Sequence, residues 1–251
     1  MNLIKKGSNE LAKVGKSISI TNKLLKEIED RAIVPSDDFR VSIPDLNFQK
    51  YLIDEFSAMI TNGTVAYGEI KNIEEINCGF DFLAISSLKG IEYFTSLKKL
   101  YCGGNSIIDL NLAQNTTLIY LSCGLNKLTE LDISCNTALV FLDCGWNQLT
   151  ELDVSRNIAL TKLNCFKNLL KDIDISHNTA LTDFGCSNNL LMELDLSNNT
   201  ALSDLDCSFN QLTELDVSHN TALIKLNCQN NQLKNLDLSN NKALIELESD
   251  F

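Results

Sequence analysis

From Leu97 onward, apolar and polar positions recur with a fixed period of 21 residues. The unit from Leu139 to Ala159 reads LVFLDCGWNQLTELDVSRNIA and follows the template L-x-x-L-x-C-x-x-N-x-L-x-x-L-D-V-x-x-N-x-A. Seven cysteines mark the period: Cys102, Cys123, Cys144, Cys165, Cys186, Cys207 and Cys228. Short repeats with one apolar stripe are typical of solenoids, in which neighbouring units bury one another's open faces.

Within each unit, apolar and polar residues alternate twice, and a period of two predicts short strands. In the unit above, the predicted strands are residues 142–144 and 152–154, each paired in parallel with its equivalents in the neighbouring units. Two columns of asparagine follow the strands, represented here by Asn147 and Asn157. At a tight corner we expect their amides to satisfy backbone groups of the neighbouring coil.

These motifs resemble the leucine-rich-repeat superfamily, and the pattern LxxLxCxxNxLxxLDxSxN is similar to its short nested 21-residue bacterial class. Residues 85–102, ISSLKGIEYFTSLKKLYC, resemble the longer entry repeat of internalin-like surface proteins. The resemblance implies an α/β fold by the convention of that superfamily, mainly β: a right-handed solenoid with parallel strands on its concave side, used for protein recognition. We expect it to cover residues 73–251, as one 24-residue unit, seven 21-residue units and a partial C-terminal unit.

Three segments precede the solenoid. Residues 42–72 predict a helical N-cap, because Pro44 and Asp45 precede apolar residues at helical spacing. The cap includes a degenerate EF-hand-like loop, residues 60–71, which lacks the carboxylates that calcium requires. Residues 32–41 are interpreted as a linker. Residues 1–31 carry seven Lys or Arg and four acids around an apolar stripe, which predicts an amphipathic basic helix and an oligomer or docking contact through it.

The outward positions of the first predicted strand carry a cluster of aromatic residues in the first four coils. Together with their polar neighbours they form the candidate binding site: Tyr101, Tyr120, Phe141, Asp143, Trp146, Lys162 and Phe166. Exposed aromatic residues clustered on one face are typical of interface anchors. The alternative is that some of these rings fold down and pack on neighbouring coils.

Candidate catalytic and metal-binding chemistry is sparse. His177 and His219 share a turn position that predicts exposure, and neither a catalytic triad nor a phosphate loop is present. The periodic cysteines replace inward aliphatic residues, whereas Cys135 lies in an exposed turn position. An acidic column comprises Asp132, Asp153, Asp174, Asp195, Asp216 and Asp237. We expect each carboxylate to bond its own turn, with a bridging cation as the alternative.

The net charge of −12 and the pI near 4.6 argue against a nucleic-acid partner, which would require clustered Lys and Arg. No apolar run is long enough for a membrane span or a secretory signal, so a cytoplasmic protein is expected, with export or surface association by another route as the alternative. We therefore predict a non-enzymatic module that binds a protein ligand through its concave face, without cofactor or metal and without a membrane partner. The alternative is a structural or assembly protein docked into a complex by residues 1–31.

Overall fold

The computed structural model describes residues 34–79 and 83–250, and their main feature is a parallel sheet of nine strands. The strands follow one another in chain order: β3 (Glu75–Asn77), β4 (Lys99–Tyr101), β5 (Tyr120–Ser122), β6 (Phe141–Asp143), β7 (Lys162–Asn164), β8 (Asp183–Gly185), β9 (Asp204–Asp206), β10 (Lys225–Asn227) and β11 (Glu246–Glu248). Glu75 pairs with Lys99, an offset of 24 residues, and later neighbours are offset by 21, as Tyr120 is from Lys99. The predicted parallel-strand solenoid is therefore confirmed, while the helix predicted for residues 1–31 lies outside the described residues.

Every coil sends an equivalent set of side chains into one continuous core. In the unit that begins at Leu139, the buried residues are Leu139, Leu142, Cys144, Leu149, Leu152 and Val154, as predicted. Full burial of such side chains stabilises the fold by about 1.5–3 kcal/mol each, less than the conformational entropy that a coil of this length loses. A single coil is therefore unstable, and the solenoid depends on contacts between neighbouring coils.

The second strand predicted in each coil does not form. Leu152 and Val154 are buried and Asp153 is exposed, so the alternation is present, but residues 152–154 join no strand pair. On this side of the solenoid the described backbone bonds between coils are sparse, as in the bond from Leu169 N to Leu149 O at 2.8 Å. Asparagine side chains provide further connections between the coils.

The two asparagine columns bond to backbone groups of their own and neighbouring coils, as predicted. Asn147 Nδ2 donates to Cys123 O and Cys144 O, both at 3.1 Å, and its Oδ1 accepts from Leu128 N at 3.0 Å. Asn157, in the second column, donates from Nδ2 to the carbonyls of Ile133 and Asn136. Its Oδ1 is buried without a hydrogen-bond partner in the described structure, and the same holds for its equivalents, so this column satisfies carbonyl groups alone.

The predicted cap helix is present as α1 (Leu46–Phe56). Asp45 caps it, since its Oδ1 accepts from Asn47 N and Phe48 N while its Oδ2 accepts from Ser86 N at 2.8 Å. The hydroxyl of Tyr51 accepts a hydrogen bond from Asn77 N, at 2.8 Å, on the first strand of the parallel sheet. The cap is therefore bonded both to the entry repeat and to the edge of the sheet.

A small antiparallel sheet completes the cap. It pairs β1 (Arg40–Ser42) with β2 (Thr64–Ala66), and α2 (Tyr67–Ile70) follows β2. The chain enters β2 through a tight turn in which Asn62 and Gly63 both have positive φ, 52° and 70°. The loop compared with an EF-hand is thus a turn, a strand and a helical turn, and β1 begins inside the segment predicted as a linker.

Candidate binding surface on the strand face

The middle residue of each strand from β3 to β10 is buried, and the first and third residues of the parallel strands form two columns that we call the strand face. The first column is Glu75, Lys99, Tyr120, Phe141, Lys162, Asp183, Asp204, Lys225 and Glu246. The second is Asn77, Tyr101, Ser122, Asp143, Asn164, Gly185, Asp206, Asn227 and Glu248. Five of the seven candidate site residues lie in these columns, and Trp146 and Phe166 lie in the turns that follow.

Three of the candidate residues, Tyr101, Tyr120 and Phe141, form an aromatic ladder. The ring centroids of Tyr101 and Tyr120 are 4.6 Å apart. The rings of Tyr120 and Phe141 are 4.1 Å apart and almost parallel, with an interplanar angle of 2°. All three residues remain half-buried on the surface, so the rings pack on one another rather than into the core.

A second aromatic pair lies just beyond the strands. Trp146 and Phe166 meet edge to face, with centroids 6.1 Å apart, and Lys167 Nζ stands 3.5 Å from the centre of the Trp146 ring. The Phe166 ring covers Gly145, where a Cβ atom would come within 2.5 Å of Phe166 Cε1. Glycine at position 145 therefore makes room for the ring. Lys167 and Gly145 were absent from the predicted site, because their roles depend on contacts between coils.

The turn after each strand from β4 to β10 contains one residue with left-handed backbone, and in three coils that residue is large and apolar. Leu125, Trp146 and Phe209 have φ of 54°, 54° and 52°, and their exposed fractions are 44%, 42% and 46%. Asn188 and Asn230 occupy the same position in other coils, and asparagine tolerates this conformation far better than a bulky residue does. Such strain costs about 1–3 kcal/mol, and burial offsets only part of it because nearly half of each side chain stays exposed.

A cavity of about 370 Å³ opens on the strand face next to the aromatic ladder. Three candidate residues line it, Phe141, Lys162 and Phe166, together with Leu163, Asn164, Asp183, Gly185, Ser187 and Asp206. Lys162 Nζ bonds Asp183 Oδ2 at 3.1 Å. Asn164, Asp183, Gly185 and Asp206 lie in the same two columns, and the repeat pattern did not predict a hollow between them.

Acidic residues dominate the polar part of the strand face. Burial raises the pKa of Asp143 above its usual value, although its carboxylate accepts bonds from Gly145 N at 3.1 Å and from Ser122 Oγ at 3.4 Å. Burial, together with the neighbouring charge of Asp183, also raises the pKa of Asp204. These carboxylates are thus held in surroundings that disfavour their charged form, and a cationic group placed beside them would favour it.

The remaining candidate groups lie away from this surface and do not converge on it. In the acidic column each carboxylate bonds its own turn, as predicted; for example, Asp174 Oδ1 accepts from Ser176 N at 2.9 Å, and bonds to Ser176 lower the pKa of Asp174. His177 and His219 are exposed in their turns. A hollow of about 840 Å³ runs along part of the acidic column.

The periodic cysteines are buried free thiols, whereas Cys135 is exposed. Burial raises the pKa of Cys165 to about 12, and it raises the pKa of its equivalents likewise. Among the described residues, no group of three or more His, Cys, Asp or Glu side chains is arranged to hold a metal ion. No helix in the described ranges is long and apolar enough to cross a bilayer.

Known structures with a similar fold are leucine-rich-repeat proteins. The chain is similar to the functional domain of InlJ from Listeria monocytogenes, which includes a cysteine ladder, with 30% identity and a TM-score of 0.53. The similarity covers 85% of this chain, which spans 62% of that domain. Internalin C2 of Listeria monocytogenes is 19% identical with a TM-score of 0.77, over 86% of this chain and 100% of the internalin.

A third similar structure is the ectodomain of the plant receptor kinase GASSHO1/SCHENGEN3 from Arabidopsis thaliana, in complex with Casparian strip integrity factor 2. It is 23% identical with a TM-score of 0.59, over 65% of this chain and 23% of that ectodomain. No protein-family model and no curated protein matches the sequence. The chain therefore has a leucine-rich-repeat solenoid fold similar to that of the internalins.

Proposed function

We propose that this protein is a non-enzymatic binding module and that it recognises a protein partner through the strand face, which corresponds to the concave face of leucine-rich-repeat solenoids. The observation that carries the proposal is the exposure of Leu125 and Trp146 in strained left-handed turns beside the aromatic ladder. Asparagine would relieve the strain at both positions. The presence of large apolar side chains at these two strained positions is explained if they contact another molecule.

The aromatic ladder supports the same proposal. Stacked aromatic rings are already ordered before a partner arrives, so binding costs little side-chain entropy. Aromatic residues are also the commonest residues at the energetic centres of protein interfaces. The similar receptor ectodomain described above was solved with its ligand, which fits a binding role for this fold.

Site-specific photo-crosslinking in source cells tests this proposal. A benzoylphenylalanine residue replaces Tyr120 on the strand face, and a matched one replaces His177 in an exposed turn away from it. We expect a protein adduct from position 120 and none of the same mass from position 177. Equal adducts from both positions, or adducts from position 177 alone, would contradict a binding site on the strand face.

A second variant separates the contact from the fold. Leu125→Asn combined with Trp146→Asn introduces the residue that Asn188 and Asn230 already place in equivalent turns. The protein should remain folded, because the strain that is removed offsets part of the burial and of the Phe166 and Lys167 contacts that are lost; thermal unfolding verifies this. The adduct at position 120 should fall at least about tenfold, as removal of interface anchors does. An unchanged adduct would show that these side chains do not contact the partner.

A further inference from the structure

The cavity on the strand face has the form of a slot beside an aromatic wall. Its opening lies where Gly185 interrupts a column whose neighbouring members are Asn164 and Asp206. A Cβ atom at Gly185 would lie 3.1 Å from Asn164 Oδ1, so a side chain at this position would press on Asn164 and project into the cavity. The volume of about 370 Å³ lies at the small end of the range for ligand sites, which suits one inserted side chain.

The aromatic wall is formed by Phe141 and Phe166. One face of the Phe141 ring is covered by Tyr120, at 4.1 Å, and its other face is directed along the sheet towards the next coil. The residue that follows in that column is Lys162, which bonds Asp183 on the coil beyond. The ammonium group is thereby engaged with a carboxylate, and the half-buried rings of Phe141 and Phe166 both line the cavity.

The acidic wall has one carboxylate that pairs with no cation among the described residues. Two carboxylates line the cavity, and Lys162 neutralises Asp183. Asp206 accepts bonds from Ser208 N at 3.0 Å and from Ser208 Oγ at 2.6 Å, both on Oδ1. Within the described ranges its Oδ2 accepts no bond, and Asp204 on the same strand adds a further negative charge. The cavity therefore favours a cationic occupant.

We propose that this cavity receives an arginine side chain of the protein partner. A guanidinium group is planar and weakly hydrated, so it stacks on aromatic rings while its fork of N–H groups bonds a carboxylate. The wall at Phe141 and Phe166 supplies the stacking surface, and Asp206 supplies the acceptor. A lysine has a compact, strongly hydrated ammonium group that cannot use both features at once. This inference rests on the proposed function and specifies the chemistry of the partner.

The test uses capped tripeptides as probes, with arginine, citrulline, lysine or tryptophan between two glycines. Binding to the full chain is followed by the amide NMR shifts of Gly185 and Ser187. Citrulline has nearly the shape of arginine but no charge. We expect saturable shifts with the arginine probe. The citrulline and lysine probes should bind at least about tenfold more weakly, because a charge-assisted bidentate pair is lost. Equal binding of citrulline, or tighter binding of the tryptophan probe, would overturn the proposal.

Two variants locate the response. Gly185→Asn fills the slot with the residue that Asn164 and Asn227 place in the same column, and Asp206→Asn removes the acceptor charge. Both should abolish the shifts caused by the arginine probe, while Asp216→Asn, in the acidic column, should leave them unchanged. Thermal unfolding of each variant verifies the fold. Arginine binding that survives Gly185→Asn in a folded protein would refute this site.

The two proposals can fail separately. If the arginine probe does not bind but the adduct at position 120 persists, the cavity has another role and the strand face remains the binding surface. If the probe binds as expected and position 120 gives no adduct, the cavity recognises arginine but the aromatic ladder does not face the partner.

Discussion

Asn147 is the clearest case of one residue that serves two coils. Its amide bonds backbone groups on both, and the side chain is 8% exposed. Asn147→Ala leaves those buried groups without partners, so we expect a loss of about 1–3 kcal/mol in the free energy of unfolding. His177→Ala is the control, with an expected change below about 0.5 kcal/mol because the ring is exposed. Urea denaturation measures both, and equal losses would mean that the turn position is not at the surface.

Asp143 illustrates the cost of placing a carboxylate on the strand face. Burial raises the pKa of Asp143 in the folded protein, so the ionised carboxylate destabilises the fold above that pKa. This destabilisation diminishes as the pH falls through the folded pKa. Asp143→Asn keeps an acceptor for Gly145 N and cannot be charged. We expect the variant to unfold at a higher temperature than the wild type at pH 7, and the difference to shrink by pH 3. A variant that is less stable at both values would show that the charge itself stabilises the fold.

At the scale of the element, several hydrogen bonds connect the helical cap to the solenoid. One of them joins the hydroxyl of Tyr51 to the backbone of β3. Tyr51→Phe removes that acceptor, so the free energy of unfolding should fall by about 0.5–1.5 kcal/mol and the amide of Asn77 should exchange its hydrogen faster. Tyr93→Phe is the matched control, at a ring that packs on Phe39 and bonds no strand of the sheet. Unchanged exchange at Asn77 in the Tyr51 variant would show that the bond does not hold the strand edge.

The elements differ in how far sequence could predict them. The spacing of 21 residues predicted the strand register from β4 to β11, because equivalent residues of a repeat must pair. The pattern at residues 152–154 predicted a second strand that is absent. Alternation indicates which side chains point inward, whereas a strand also requires paired backbones. On the side of residues 152–154, Asn157 and its equivalents supply contacts between the coils.

The candidate binding surface on the strand face was predictable only in part, because its geometry depends on contacts between coils. Side-chain types identified Tyr120 and Phe141 as outward aromatic residues on one face. Their parallel stacking and the ion pair of Lys162 with Asp183 depend on rotamers and on contacts between coils. The cavity opens at Gly185, and the sequence does not distinguish this glycine from the others. Likewise, the sequence does not reveal that both bonds from Ser208 go to Asp206 Oδ1 and leave Oδ2 without a bond in the described structure.

At the scale of the whole molecule, a cap bonds to the solenoid at β3, and in the described residues β11 is the strand at the opposite edge of the sheet. All three residues of β11 are exposed, and the exposed fractions of Ile245 and Leu247 are 79% and 44%. Because each coil is stabilised chiefly by its neighbours, a coil with one weak neighbour opens more easily than a coil inside the stack. We therefore expect the chain to unfold progressively from the last coils.

The buried cysteines, one in each coil, provide a direct measurement of this order. In a Cys135→Ser background, which removes the exposed thiol, iodoacetamide is applied at urea concentrations below the main transition and the labelled peptides are quantified. Cys228 should be alkylated at least about tenfold faster than Cys144, because its coil lies nearer the end of the stack and opens earlier. While their coils stay closed, these thiols should resist labelling, since burial raises the pKa of Cys228 to about 11 and that of Cys144 well above its usual value. Equal rates for the periodic cysteines would mean that the solenoid opens as one cooperative unit, and that the cap transmits its stability along the whole stack.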